Sequence, residues 1–304
     1  MNRKWTLLVA ALLSATAIVA NAAGTSISKQ VPIGTQNRVT ISNVAGSVSI
    51  TAWDRKEVDV QGELGDGVDQ VDVRQDSGII DIKVELKDNG WSEGSFRNGG
   101  AKLQIKVPAD AQIDASTISA SISANGLRGR QRLKTVSGDI RSDVAGSELD
   151  LKSVSGRIDL VGNGNTARVR ATSVSGTVTL SHVGGDIEAH STSGDVDIDS
   201  QGASAVRASV VSGDISLQGA LAREADVDAS SMSGRVKVAA QFPGGFNYDA
   251  TTFSGNIRNC LGVEVDRGDR RRGFGGNRLS GSRGEGKATV RARSHSGSVE
   301  LCDH

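Results

Sequence analysis

The chain has 304 residues with 35 basic and 35 acidic side chains, 38 glycines, three prolines and two cysteines, and only 3% of its residues are aromatic. That charge balance argues against a dedicated nucleic-acid or anionic-lipid binder. So few aromatics argue against a core built on Leu and Phe, and leave a thin interior filled by Val, Ile, Leu and Ala.

The chain opens with the basic pair Arg3 and Lys4, an apolar stretch from Leu7 to Ala20, and the small-residue end Ala20-Asn21-Ala22. These three parts make a secretory signal peptide, residues 1–22. Its apolar stretch is shorter than the ~20 residues a membrane span wants, and no later segment is apolar enough to span a bilayer. Without Arg3 and Lys4 the mature chain carries 33 basic and 35 acidic residues. The expected location is therefore exported, either periplasmic or at the cell surface.

Residues 23–115 read as an irregular N-terminal β region and cap. Alternation predicts strands over Ile27 to Pro32, Arg38 to Trp53, Val58 to Leu64, Val71 to Arg74, Ile79 to Leu86 and Lys102 to Val107. Residues 116–304 repeat one phrase. After a degenerate first copy centred on Ala120, Ser-Gly recurs at Ser137-Gly138, Ser155-Gly156, Ser175-Gly176, Ser193-Gly194, Ser212-Gly213, Ser233-Gly234, Ser254-Gly255 and Ser296-Gly297. A period near twenty residues is the signature of a solenoid. Two places after each glycine stand Ile140, Ile158, Val178, Val196, Ile215, Val236, Ile257 and Val299. Five places before it stand Leu151, Ala171, Ala189, Ala208, Ala229, Ala250 and Ala292. The expected fold is an all-β parallel β-solenoid (β-helix) with coils of about 20 residues and two main strands per coil. Glycine is read as the residue that tolerates the positive φ of sharp corners. In this register Asp139 meets Arg157, Asp214 meets Arg235, and Arg141 meets Asp159. Such exposed pairs inform register more than stability.

The gap between Gly255 and Gly297 holds one coil plus an Arg- and Gly-rich insertion, residues 262–286. Cys260 and Cys302 each lie five places after a Ser-Gly glycine, so they share one place on adjacent coils. Export permits a disulfide, and this spacing predicts one that staples the C-terminal coil shut.

The outward columns hold the candidate chemistry. Asp195, Asp197 and Asp199 share one outward face, with Asp186 and Asp214 close by. Asp195, Asp197 and Asp214 are a candidate Ca²⁺ site, since Ca²⁺ takes several oxygen ligands. The same face is the candidate catalytic face if the chain is a carbohydrate-active enzyme. The other reading is a solvated acidic face. No catalytic Ser/His/Asp arrangement, no cofactor-binding motif and no metal-ligand spacing of Cys and His stands out; Gly162-Asn163-Gly164 leads into a strand rather than a helix. Arg267, Arg270, Arg271, Arg272, Arg278 and Arg283 in the insertion make a candidate partner-binding loop for an anionic envelope polymer, against the reading of a solvated loop.

The phrase Asn43-Val44-Ala45-Gly46-Ser47-Val48-Ser49-Ile50 is followed by Trp53-Asp54 and Glu57-Val58. With Leu103-Gln104-Ile105-Lys106-Val107-Pro108 and the recurring Val-Ser-Gly-Asp-Ile, it resembles the bacterial "putative adhesin" family of β-strand-repeat proteins, a group of unknown function. The resemblance covers nearly all of the mature chain. It implies a β-solenoid and carries no catalytic residues. The resulting expectation is a non-enzymatic, exported envelope protein that binds or scaffolds an envelope protein or polysaccharide. It needs no cofactor and binds no nucleic acid. The alternative is the carbohydrate-active enzyme on the Asp195/Asp197/Asp214 face.

Overall fold

The computed structural model describes residues 25–34, 37–87, 100–143, 148–164, 166–264, 266–267 and 276–303. The expected signal peptide lies outside these residues. Among the described residues every regular element is a strand, all strands join one hydrogen-bonded sheet, and no helix is long and apolar enough to cross a membrane.

The N-terminal strands are β1 (Thr25–Pro32), β2 (Arg38–Trp53), β3 (Glu57–Leu64), β4 (Val68–Asp76), β5 (Ile79–Leu86), β6 (Ala101–Pro108) and β7 (Gln112–Asn125). Their alternation was readable, but their order was not. β2 pairs in parallel with β7 from Arg38↔Gln112 to Thr51↔Asn125. On its other side β2 pairs in parallel with β5 and β6. β4 covers β5, β3 covers β6 and β1 covers β3, all antiparallel. The boundary expected at residue 115 falls inside β7.

The next strands are β8 (Gln131–Thr135), β9 (Ile140–Asp143), β10 (Glu148–Ser153), β11 (Ile158–Val161), β12 (Thr166–Ser173), β13 (Val178–Ser193), β14 (Val196–Ser212) and β15 (Ile215–Ser233). They stack as two parallel ladders, one before each Ser-Gly and one after it. Leu133, Leu151, Ala171, Ala189, Ala208 and Ala229 lie in register on the first. Ile140, Ile158, Val178, Val196 and Ile215 lie in register on the second. All are buried. The architecture is solenoid-like. Two separate strands per coil hold from β8 to β12, whereas β13, β14 and β15 each run through the corner opposite Ser-Gly as one bent strand, with register shifts at the bend. The bend in β14 carries Gly202 with φ +84°, a left-handed value suited to glycine.

At the Ser-Gly corner the glycine has a different cause. A Cβ on Gly156 would stand 1.8 Å from the carbonyl oxygen of Gly138, and one on Gly176 would stand 2.1 Å from that of Gly156. Close approach of successive corners excludes side chains there, and Gly194, Gly213 and Gly234 add positive φ values of 151°, 149° and 153°. The residue three places before each glycine is buried and, with the exception of Val210, hydroxylic from Thr117 through Thr135, Ser153, Ser173, Ser191, Ser231, Ser294 and Thr252. Several of these hydroxyls donate to corner carbonyls, as Thr117 Oγ1 does to Ala120 (2.7 Å), Ser294 Oγ to Gly234 (2.9 Å) and Thr252 Oγ1 to Gly297 (2.8 Å). Asn43 holds the same place in β2 and donates to the Ala101 carbonyl at 3.1 Å. Two polar residues that break the apolar interior, Gln131 and Ser142, meet one another at 2.8 Å.

The last strands are β16 (Val236–Gln241), β17 (Gly245–Ser254), β18 (Ile257–Asn259), β19 (Asp266–Arg267), β20 (Asn277–Gly284), β21 (Ala288–Ser296) and β22 (Val299–Asp303). Here the chain departs from sequence order. β21 pairs with β15 on one side and β17 on the other, and β22 pairs with β16 and β18. The C-terminal coil is thus inserted between two earlier coils, with β17 and β18 outside it. β20 covers β17 antiparallel, and β19 covers β20. Phe242, Phe246 and Tyr248 fill the end of the interior, with Phe242 and Phe246 stacked at 4.1 Å.

Charge agrees with this order. Six places before each corner, the outward residues in spatial sequence are Asp114, Arg132, Asp150, Arg170, Glu188, Arg207, Asp228, Arg291 and Asp249. The sign alternates at every step, and does so only because Arg291 stands between Asp228 and Asp249. Arg132 reaches Asp114 at 3.2 Å and Asp150 at 3.6 Å, and Arg170 reaches Glu188 at 2.6 Å. The pairings expected downstream of the corner also occur. Arg141 meets Asp159 at 3.5 Å, but Asp139 and Asp214 accept the backbone N–H of Arg157 and Arg235 rather than their guanidinium groups.

Cys260 and Cys302 form a disulfide, with Cα atoms 4.8 Å apart. The bond joins adjacent coils as the spacing predicted. It does not close the end of the stack, because the coil bearing Cys302 lies inside the one bearing Cys260.

Two outcomes are expected. Gly156→Ala lowers stability by about 1–3 kcal/mol, read as a lower denaturant midpoint at unchanged slope. Reducing the disulfide, which closes a 42-residue separation, lowers stability by up to about 4 kcal/mol, read from denaturant curves with and without reductant.

Candidate functional site

Between the buried hydroxyl and the corner serine, each coil carries one residue that must point outward. In spatial order these residues are Ile118, Val136, Val154, Val174, Thr192, Val211, Met232, His295 and Phe253. Neighbouring pairs such as Ser193↔Ser212, Ser231↔Ser294 and Thr252↔Ser294 set their register. The seven apolar members are between 42% and 59% exposed. Rungs about 4.8 Å apart make this an apolar ridge of roughly 40 Å. Thr192 and His295 are its two polar places; exposed apolar surface of this extent is a common feature of interaction sites. Sequence reading missed it, although the Val of each Val-Ser-Gly was visible. Treating Ser-Gly as a corner drew attention to the turn rather than to the residue the turn pushes into solvent.

At the C-terminal end the ridge forms the floor of an open groove of about 620 Å³. Val211, Met232 and Phe253 line it, with His295 stacked on Phe253 at 5.0 Å. Asn277 and Arg278 of β20 form part of its lining, and Asn277 Nδ2 donates to the Gly255 carbonyl at 2.6 Å. The insertion thus contributes a strand to this surface. Arg278 pairs with Asp249 at 3.1 Å, and Arg283 pairs with Asp303 at 3.3 Å. These two of the predicted binding arginines tie β20 to the body. Arg267 lies in the short strand β19. Arg270, Arg271 and Arg272 lie outside the described residues.

The acidic face is built differently from a metal cage. Asp195 accepts the backbone N–H of Asp214 at 2.8 Å, and Asp214 accepts that of Arg235 at 2.7 Å. Both carboxylates serve the main chain of the next coil. Asp195, Asp197 and Asp214 form part of a surface ladder, and among the described residues no three His, Cys, Asp or Glu side chains converge as metal ligands. Partial loss of solvent, and then the charges of Asp195 and Asp214, push the Asp197 carboxyl above its ordinary range. On the adjoining ladder, hydrogen bonds from His190 and then Arg170 hold Glu188 below the usual range.

The corner phrase, the alternating strands and the two-ladder stack coincide with a family model, Toastrack DUF4097, that matches residues 36–269 and, overlapping these, 191–302. The chain belongs to the Toastrack DUF4097 family. It is an adhesin-like β-repeat family of unknown function, in agreement with the resemblance carried by the Asn43–Ile50 phrase. Solved structures similar to the chain include a "putative adhesin" from Bacteroides fragilis at 15% identity and TM-score 0.40, covering 91% of this chain and 96% of that one. A "putative adhesin" from Parabacteroides merdae stands at 13% and 0.33, covering 91% and 95%. A "putative cell adhesion protein" from Clostridium sporogenes stands at 11% and 0.29, covering 93% and 100%. No curated protein matches the chain in sequence.

Asp197 gives a pH test. Its folded pKa is raised, so protonation favours the folded state, and that stabilisation is lost as pH rises through the folded value. Asp197→Asn is expected to melt at a higher temperature than the parent chain at pH 7. The difference should close below pH ~4, where both side chains are neutral; melting curves across pH check it.

Proposed function

We propose that the protein is an exported, non-enzymatic binding module of the cell envelope. In this reading it is a two-ladder parallel β-solenoid that presents the corner ridge to its partner. The observation that carries the reading is the column from Ile118 to Phe253, apolar at seven of its nine places, on a stack whose interior is already closed. Each of the seven apolar side chains leaves 42–59% of its surface in water. Burying them against a partner removes apolar surface from water without disturbing the stack.

The ridge is aliphatic over most of its length, with Phe253 and His295 as its ring-bearing members. A polysaccharide groove would call for stacking aromatics along the run. The ridge instead fits an extended apolar protein segment, so an envelope protein is favoured over an envelope polysaccharide. The basic groups Arg278 and Arg293 beside the groove are partly offset by Asp249 and Asp228, which leaves apolar contact as the main term. Export follows from the leader read in residues 1–22, and fits the disulfide in the structure.

The test is the combined variant Val211→Ser, Met232→Ser, Phe253→Ser. All three side chains are exposed, so the melting temperature should change little. Binding to envelope membrane proteins, measured by co-sedimentation against purified protein-free envelope polysaccharide, should weaken at least about tenfold, or 1.4 kcal/mol. Equal binding by the variant and the parent chain overturns the reading, as does tight binding to the polysaccharide that the variant retains.

A further inference from the structure

The C-terminal coil occupies a slot made by other parts of the chain. β15 and β16 form one wall, and β17 and β18 form the other. Within the slot Ala292 lies between Ala229 and Ala250, Val290 between Val227 and Tyr248, and Val299 between Val236 and Ile257. Arg291 reaches Asp226 at 2.9 Å, and Arg293 reaches Asp228 at 3.5 Å. Both walls are in place in the sequence before the coil that fills them. Closing the slot without that coil would set Asp228 against Asp249, so the empty slot favours an incoming strand with a cation at that place.

We propose that this slot also accepts the C-terminal coil of a second copy of the chain, joining two copies by exchange of β20, β21 and β22. The exchanged contacts are the same residues against the same walls, so exchange costs only the advantage of the tether. β20 lies in the connection to that coil and pairs along β17, while Arg283 ties it to Asp303 of β22, so β20 travels with the coil and takes the same place on the second copy's β17. Until Cys260 and Cys302 are joined, no covalent bond decides whether the inserted coil is the chain's own. The disulfide then fixes whichever arrangement has formed. This inference stands apart from the ridge reading, since the slot and the ridge are tested by different substitutions.

The experiment uses two full-length chains, Cys260→Ser and Cys302→Ser. Each retains one cysteine and cannot form the intrachain bond. In the register of Asn259↔Leu301, an exchanged coil places Cys302 of the first chain beside Cys260 of the second. The two are unfolded together and refolded in a glutathione disulfide buffer. One glutathione disulfide accepts the two electrons and two protons of the thiols and leaves as two glutathiones. The expected product is a covalent heterodimer carrying a Cys260–Cys302 link, rising with protein concentration. It should fall at least several-fold when the Cys260→Ser chain also carries Arg291→Glu. Folded monomer alone, or Cys260–Cys260 and Cys302–Cys302 homodimers alone, overturns the proposal. Should either variant fail to fold, isotope-labelled and unlabelled parent chains refolded together replace it. Mixed-label Cys260–Cys302 peptides support exchange, and their absence overturns it.

Discussion

At each Ser-Gly corner one glycine's carbonyl oxygen occupies the place where the next glycine's Cβ would be. At Gly156 and Gly176 the missing carbon would stand 1.8 Å and 2.1 Å from that oxygen. The approach follows from stacking corners directly above one another at the spacing of a parallel ladder. Much else depends on it. The corner carbonyls are drawn inward, where many would lack water, and the hydroxyl three places earlier supplies a donor to several of them. That hydroxyl points inward, so the residue after it must point outward. The position of every ridge side chain is thus a consequence of a backbone contact it does not touch.

Strand periodicity was legible because alternation and the alanine column record one buried face and a narrow gap. The corner glycines were legible as a repeat; crowding selects them, joined at Gly194, Gly213 and Gly234 by positive φ. Spatial order was hidden. A reading that stacks coils in sequence places Cys260 and Cys302 on neighbours, which is correct, but makes the last coil the outermost, which is not. The information was present in Asp228, Asp249 and Arg291. In sequence order two aspartates adjoin, and in spatial order the signs alternate. Charge on outward columns could have chosen between the two stacks, had the ladder before the corner been compared as closely as the one after it. Of the candidate site residues, the acidic face was visible, but its hydrogen bonds to the next coil's amides were not, because they depend on side-chain direction.

Both ends of the stack show the same device. β2 lies one rung inside β5 and β6, and the β21–β22 coil lies one rung inside β17 and β18. Antiparallel strands then cover much of the outer rungs: β4, β3 and β1 at one end, β20 and β19 at the other. An open parallel edge invites pairing with another chain. Tucking the first and last rungs inward keeps them from fraying at the ends, and antiparallel cover blocks further parallel growth.

The ridge residues are the ones the fold constrains least. The hydroxyl before the corner is buried, and alternation into the core fixes the apolar strand positions. The outward residue after that hydroxyl faces solvent, and Thr192 and His295 show that the corner tolerates polar side chains there. Valine, isoleucine, methionine and phenylalanine at the other places are therefore not explained by packing within the chain. Their exposure raises the tendency to associate without stabilising the monomer. A surface that is costly when bare and is repeated over the length of the stack is accounted for when something covers it. The proposed binding surface is therefore the corner rather than the charged faces, whose signs are already balanced along the ladder.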